Sequence, residues 1–292
     1  MKSIFLTGFS GFVGKNLISK FNGKYEIFRF ERDSKININQ DIVIHLAGIA
    51  HDTSNKLDSK IYYETNTELT IKVFDNFLKS NASDFIFLSS VKAARDSYDG
   101  KLDENVIAKP KTDYGKSKLM AEQYILTTKL PKNKRVFILR PCMIYGPGNK
   151  GNLNLLYNIV SKGIPWPLGN FHNKRSFCSI NNLIFIIDKL INTKDIISGI
   201  YNISDDEFLS TNEIIELIYK SQNKRPLILK IPKKIILFFA KIGDFVPLPL
   251  NSDRLKKLTN SYVVCNKKIL NAINKKLPEN SISGLLNVFQ NF

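Results

Sequence analysis

At 292 residues and 43% hydrophobic composition, the chain is long enough for two modest domains or one large α/β unit with an added lobe, which excludes disorder, collagen-like repeats and disulfide-dense miniproteins. It carries 43 Lys and Arg against 26 Asp and Glu, a net +17. The basic residues are scattered, with no block of five, no aromatic-interleaved RNA motif and no zinc-finger spacing, so the charge reads as a mixture of Lys/Asn/Ile-rich coding bias and a field that attracts small phosphorylated molecules, and not as a nucleic-acid signal.

Cys142, Cys178 and Cys265 lie far apart without a CxxC, and His45, His51 and His172 lack ligand spacing. Neither a disulfide framework nor a metal site is expected, and the reading is a reducing, cytoplasmic compartment. The longest apolar runs, such as Ile235 to Ala240, fall far short of the ~18 residues that span a bilayer. The start, MKSIFLTGFSGFVG, reaches glycine too soon for a signal peptide.

Residues 2–7 read as a buried strand and 12–21 as a helix. Residues 24–30, 41–46, 84–88 and 136–139 read as further strands, with helices over about 58–80 and 112–129. Strands alternating with helices predict an α/β fold whose parallel sheet is covered on both faces. The stretch before Asp41 has room for a brief strand at 36–38 but not for a crossover helix. Past residue 148 glycines and prolines cluster, and the chain reads as a smaller, loop-rich lobe over 149–292. Helices near 181–193 and 211–222 and a strand at 200–203 are expected there, with about 177–203 returning to the first domain (1–148). KKIILFFAK (233–241) reads as a buried helix of that lobe in preference to a bilayer-surface helix, so no stable membrane anchor is expected.

The turn TGFSGFVG (7–14) follows a strand and opens a helix. Gly8 suits a tight turn, Gly11 lets backbone approach a pyrophosphate, and Gly14 lets helix and strand pack closely, while the helix N-terminus offers free N–H donors. The spacing is GxxGxxG and not the plain GxGxxG template. Glu31, 23 residues after Gly8, suits an acceptor for ribose hydroxyls and disfavours a 2′-phosphate. Arg32 beside it is placed to pair with that phosphate. NAD is the favoured cofactor, with NADP left open.

Tyr114 and Lys118 form a YxxxK pair. The pattern alone is cheap: 11 tyrosines and 43 basic residues give about 1.6 chance matches. Its place gives it weight. The pair starts a strong helix, where i and i+4 share a face, 24 residues after a strand ending in Ser89 and Ser90. A phenol titrating near 10 shuttles protons poorly at neutral pH. A neighbouring ammonium and a cationic nicotinamide are expected to favour the phenolate, and a serine hydroxyl to orient the reacting oxygen. Ser90 is the favoured serine, with Ser89 as competitor.

Together these pieces resemble the extended short-chain dehydrogenase/reductases, the NAD-dependent epimerase/dehydratase group that acts on nucleotide sugars. The resemblance rests on TGFSGFVG (7–14), HLAG (45–48), SSVKA (89–93), YGKSK (114–118), LRPCMIYGPG (139–148), NKRSFCSINNL (173–183) and GIYNIS (199–204). It implies a Rossmann-type doubly wound parallel sheet with a smaller C-terminal substrate-binding lobe. It also implies that Gly8, Gly11 and Gly14 form the pyrophosphate loop together with Ser10, and that Phe12 and Val13 donate backbone N–H groups. Leu46, Ala47 and Gly48 would line the adenosine-ribose and nicotinamide side, and Pro141 would lie by the carboxamide. Tyr114 would be the acid/base, Lys118 its ribose-bridging partner, and Ser90 a catalytic and substrate-binding hydroxyl. Asn152, Arg175 and Arg254 fall where relatives hold the substrate diphosphate. Helices 58–80 and 112–129 are the pair that relatives bury in a homodimer.

Val91 and Lys92 stand where family dehydratases carry an Asp-Glu pair, so elimination of water is not expected. SSVKA, with KGN at 150–152 and RSF at 175–177, is similar to reductases of UDP-4-keto-6-deoxy-N-acetylhexosamines that serve surface polysaccharides, and to UDP-glucose 4-epimerases. The expectation is a 4-keto reductase, with a UDP-hexose 4-epimerase holding its cofactor tightly as the alternative.

Overall fold

A computed structural model describes residues 1–31, 34–50, 58–149, 152–246 and 250–291, with Asn152 described in its backbone only. The first domain opens with β1 (Ser3–Thr7), α1 (Phe12–Phe21), β2 (Glu26–Arg29) and β3 (Ile42–His45). A continuous helical stretch follows: α2 (Ser59–Tyr62), a π-helical turn (Tyr63–Glu68) and α3 (Leu69–Lys79). Then come β4 (Asp84–Leu88), α4 (Val91–Ala94), β5 (Lys101–Leu102), α5 (Asp113–Thr127), β6 (Arg135–Pro141) and β7 (Met143–Tyr145). The rest of the chain forms α6 (Asn152–Ser161), β8 (Arg175–Ser179), α7 (Ile180–Asn192), β9 (Gly199–Ile203), β10 (Phe208–Leu209), α8 (Thr211–Ser221), α9 (Lys233–Ile242), α10 (Ser252–Thr259), β11 (Val263–Val264), α11 (Lys267–Ile273) and α12 (Ser281–Gln290).

Six strands pair in parallel in the order β2-β1-β3-β4-β6-β9. Their side chains alternate between two cores, as the two-residue period of a strand demands. Ile42, Ile44, Ile86, Phe137 and Leu139 enter a core shared with α1, α7 and α11. Val43, Phe85, Phe87, Val136 and Ile138 enter the opposite core, closed by Val73, Phe74 and Phe77 of α3 and Ala121 and Ile125 of α5. Burial on both faces explains why β3 and β4 read as unbroken apolar runs. The chain runs from β1 to β2 on one side and then crosses back past β1 to β3 on the other. The crevice beyond the C-terminal ends of β1 and β3 is therefore the switch point where such sheets bind ligands.

The predicted elements of the first domain form nearly where expected. Residues 36–38 carry no strand: Ile38 is buried and Ile36 packs beside it in the α3/α5 core, so the short connection covers this face of the sheet with side chains alone. The lobe has its own core, including Trp166, Phe177, Ile215, Leu255 and Phe289. Its three-stranded sheet runs β10-β8-β7. Strand β9 rejoins the main sheet, and Val264, Ile269 and Ile273 return to the α1/α7 core, so the chain crosses between the two units repeatedly.

One expectation is corrected. The segment 233–241 is helical but not buried: only Ile236 and Ala240 of α9 turn inward, one turn apart on a single face. Leu237, Phe238 and Phe239 are 48%, 61% and 53% exposed, because nothing in the described lobe packs over that side.

Candidate active site

Thr7 of β1 pairs with His45 of β3, which brings the glycine turn abreast of Leu46 and Ala47. Gly8 has φ +69°, and a Cβ there would come within 2.6 Å of the Ala47 nitrogen and the Leu46 carbonyl carbon. No side chain fits at that point. A Cβ on Gly14 would lie 2.4 Å from the Gly8 carbonyl oxygen, so the close seating of α1 on the turn also depends on glycine. Gly11 differs: its nearest neighbour would be the Gly8 oxygen at 3.4 Å, and its outer face is open. Gly11 is the N-cap of α1 and no side chain caps that end. The first helical N–H groups, those of Phe12 and Val13 among them, have no acceptor within the helix. A cleft of about 440 Å³ lies against this end, lined by Gly8, Ser10, Gly11, Glu31, Leu46, Ala47 and Gly48 among others. Glu31 stands where the chain leaves β2; Arg32 lies outside the described residues. An open glycine face, unbonded helix N–H groups and a cleft of this size match what a dinucleotide pyrophosphate needs.

Ser90 and Tyr114 neighbour each other, and Lys118, one turn on from Tyr114, reaches the cleft wall at Gly48. Ser90 caps α4, and its Oγ accepts the Lys92 N–H at 3.2 Å. Its proton is then available to the Tyr114 phenol, with which it is hydrogen-bonded. Ser89 is occupied elsewhere: its hydroxyl donates to the fully buried Glu122, which also pairs with Arg140 (Nε–Oε1 2.9 Å). Of the two serines, Ser90 is the one set beside Tyr114. The Lys118 ammonium donates to the Leu88 carbonyl at 3.0 Å and sits 4.8 Å from the centre of the Phe87 ring. A Cβ on Gly48 would lie 2.8 Å from Lys118 Nζ and 2.9 Å from Asn66 Oδ1, so it would displace these side chains from the cleft wall.

Burial pulls the Lys118 ammonium down to about 8, with Glu122 opposing. Tyr114 runs against expectation. Desolvation holds its phenol above the ordinary value, and the Ser90 hydrogen bond only partly offsets this. The protein alone does not bring this phenol toward neutrality: burial outweighs the Ser90 hydrogen bond, and the Lys118 ammonium is turned to the Leu88 carbonyl.

Two supports escaped sequence reasoning. Asn66, in the π-helical turn, holds the Ile49 N–H on Oδ1 at 2.9 Å and donates to the Ile49 carbonyl and Ser117 Oγ. Thr67 donates to the Ser117 carbonyl at 2.8 Å. This clamp joins the β3 loop to α5 between Tyr114 and Lys118. A signal was present: Thr-Asn-Thr in mid-helix is a run of weak helix formers that compete for backbone groups. His45 is the second. Thr70 donates to the Asn66 carbonyl, so it accepts from His45 Nε2–H at 2.9 Å, and Thr7 donates to Nδ1 at 2.7 Å. The ring is held neutral, with burial and then Lys118 lowering it to about 3.

Toward the lobe, Pro141 ends β6 at the C-terminal edge of the sheet, and β7 leads away. Arg175 opens β8 and donates to the Lys257 carbonyl at 2.6 Å; desolvation lowers its guanidinium. Its charge is felt by Lys92, whose ammonium burial also depresses. Lys92 donates to the Asp96 carbonyl at 2.6 Å and lies 5.0 Å over Tyr262. Tyr262 in turn donates to the Arg95 carbonyl, tying the lobe to α4. Arg175 therefore reaches the neighbourhood of α4, while Arg254 sits exposed on α10, one turn before Lys257. Asn152 begins α6, and its side chain lies outside the described residues.

Comparison with known proteins agrees with this architecture. The chain is 29% identical to a UDP-glucose 4-epimerase of Vibrio cholerae over 100% of its own length and 95% of that protein. It is 27% identical to an N-acetyl-alpha-D-glucosaminyl-diphospho-ditrans,octacis-undecaprenol 4-epimerase of Escherichia coli O157:H7, covering 76% of this chain and 73% of the relative. A UDP-glucuronic acid 4-epimerase from Bacillus cereus, solved in complex with NAD, shares the fold at TM-score 0.75 and 18% identity, with 99% of each chain covered. Residues 4–204 match the NAD dependent epimerase/dehydratase family, and the chain belongs to that family.

Proposed function

We propose that this protein transfers hydride at C4 of a UDP-sugar, with NAD as cofactor and Tyr114 as the group that moves the O4 proton. The observation that carries the reading is the hydrogen bond between Ser90 and Tyr114, one helical turn before Lys118, whose ammonium reaches the cleft wall at Gly48. Gly8, Ser10, Gly11 and the N–H groups of Phe12 and Val13 would hold the cofactor pyrophosphate, Glu31 the adenosine ribose, and Leu46, Ala47, Gly48 and Pro141 its remaining length. When bound, the nicotinamide supplies the site that takes up and returns hydride.

The chain's own residues do the rest. Ser90 donates toward the reacting oxygen and fixes its direction. Tyr114 takes or returns the proton at O4. Lys118 places a positive charge against the Gly48 wall, where it would hold the ribose hydroxyls of the bound cofactor. Arg175, with Asn152 and Arg254, would hold the diphosphate and so the sugar's position.

The first reading is a 4-epimerase, supported by the Vibrio cholerae relative, which is similar along the whole chain. The second is a 4-keto reductase for polysaccharide precursors, favoured by the SSVKA run after β4. Dehydration at C5–C6 is not part of the proposal. Val91 and Lys92 follow Ser90, and Lys92 turns its ammonium onto the Asp96 carbonyl, so neither supplies a carboxyl acid or base.

Purified protein incubated with NAD and UDP-glucose or UDP-N-acetylglucosamine should interconvert the C4 epimers without net change in nicotinamide absorbance. Consumption of NADH with a UDP-4-keto-6-deoxy sugar, and no epimerisation, selects the reductase. Inertness in both assays, with NAD bound, removes the proposal.

A further inference from the structure

Helix α9 leaves most of its apolar surface uncovered. Ile236 and Ala240 face the lobe core, while Ile235, Phe238 and Phe239 form an outer arc 46%, 61% and 53% exposed. The Phe238 and Phe239 rings pack edge to face at 5.7 Å, which keeps both in one raised patch. Phe245, 91% exposed, and Val246 extend the patch past the helix end. Aromatic residues this open on a folded domain mark a surface that meets something else.

Charge selects the partner. From Leu217 to Gly243 there is no Asp or Glu, against Lys220, Lys224, Arg225, Lys230, Lys233, Lys234 and Lys241, all exposed. Lys234 and Lys241, seven residues apart, share the helix flank beside the outer apolar arc, next to Phe238. The next acid, Asp244, is turned to Ser252, accepting from its N–H at 2.9 Å and its hydroxyl at 2.6 Å. A second copy of the chain would set one cationic rim against another in a molecule already at +17. An aromatic centre with a lysine rim is instead the composition of a helix lying in a lipid interface, the rings entering the acyl boundary and the ammoniums reaching headgroup phosphates. No helix among the described residues is long and apolar enough to cross a membrane, so the contact is peripheral.

We propose that α9, with Phe245 and Val246, seats this protein reversibly on an anionic lipid surface. The inference stands apart from the proposed reaction, since none of these residues lies in the cleft.

The test is co-sedimentation of the full chain with vesicles of phosphatidylcholine alone or of phosphatidylcholine with an equal part of phosphatidylglycerol. Binding to the anionic vesicles at low salt, release at high salt and no binding to the neutral ones are expected. Phe238→Ser with Phe239→Ser should weaken partitioning tenfold or more, while NAD binding in solution stays unchanged. Lys234→Gln with Lys241→Gln removes two charges from the rim and should weaken it about thirtyfold; this pair keeps the test decisive if the aromatic variant does not fold. No binding to anionic vesicles, equal binding to neutral ones, or retained binding in the lysine variant overturns the proposal. So does a wild-type dimer, seen by sedimentation without lipid, that the Phe238/Phe239 variant dissolves, since that assigns the patch to a second copy.

Discussion

The hydroxyl of Ser90 and the phenol of Tyr114 share a hydrogen bond across 24 residues of sequence. Each is fixed by its own helix start. Ser90 caps α4, and Tyr114 is the second residue of α5, which Thr112 caps by accepting the Gly115 N–H at 3.2 Å. The two caps aim the two hydroxyls at each other before any ligand arrives.

Removing the phenol oxygen should therefore abolish chemistry and spare binding. Tyr114→Phe is expected to lower kcat by about 10²- to 10⁴-fold, the usual range for a positioned proton donor, with NAD affinity by titration calorimetry within a few-fold of wild type. A variant that keeps wild-type kcat would exclude Tyr114 as the acid/base.

The two serines should separate cleanly. Ser90→Ala is expected to lower kcat with little change in unfolding free energy. Ser89→Ala should do the reverse: it leaves the buried Glu122 short of a donor and costs about 1–3 kcal/mol in urea unfolding, with kcat nearly intact. The opposite pattern would mean the pairing with Tyr114 does not serve the reaction.

The glycine turn offers a contrast between fold and function. Gly11→Ala meets nothing closer than 3.4 Å in the protein, so Tm should hold within about 2 °C while NAD affinity falls at least tenfold. Gly8→Ala meets backbone at 2.6 Å with φ at +69°, so it should lower Tm as well. Calorimetry and thermal unfolding of the two variants check this directly.

His45 predicts a pH dependence. In the unfolded chain its imidazole takes a proton near 6.5, whereas in the fold it resists down to about 3. Below pH 6.5 the unfolded state then binds more protons, so stability falls as pH drops through this window, by at most about 1.4 kcal/mol per pH unit from this group. His45→Gln should remove that component of the slope between pH 6.5 and 5. An unchanged slope in urea unfolding across those values would show that the ring is not held neutral.

Much was legible from local pattern. The short apolar runs of β1, β3, β4 and β6, the glycines at 8, 11 and 14, and the shared face of Tyr114 and Lys118 follow from backbone geometry acting over a few residues, and any reader of the chain meets them in order. The family resemblance rests on the same short-range features. What local pattern does not carry is which group wins a shared neighbour. Ser89 and Ser90 are adjacent and alike, and only the arrival of Glu122 and Arg140 from α5 and β6 commits one of them inward. Likewise Lys118 turns to a carbonyl of β4, and burial then raises the Tyr114 phenol that its charge was expected to lower.

The amino-acid order by itself determined the strands, the helices, the phosphate turn and the residue types of the site, because these depend on propensity and spacing within one or two turns of chain. The tertiary structure alone decided which serine faces the phenol, that Asn66 and His45 brace the cleft, and that α9 keeps its aromatic side outside. Those outcomes depend on desolvation and hydrogen-bond competition between segments far apart in the chain, and such competition is settled only when the segments pack.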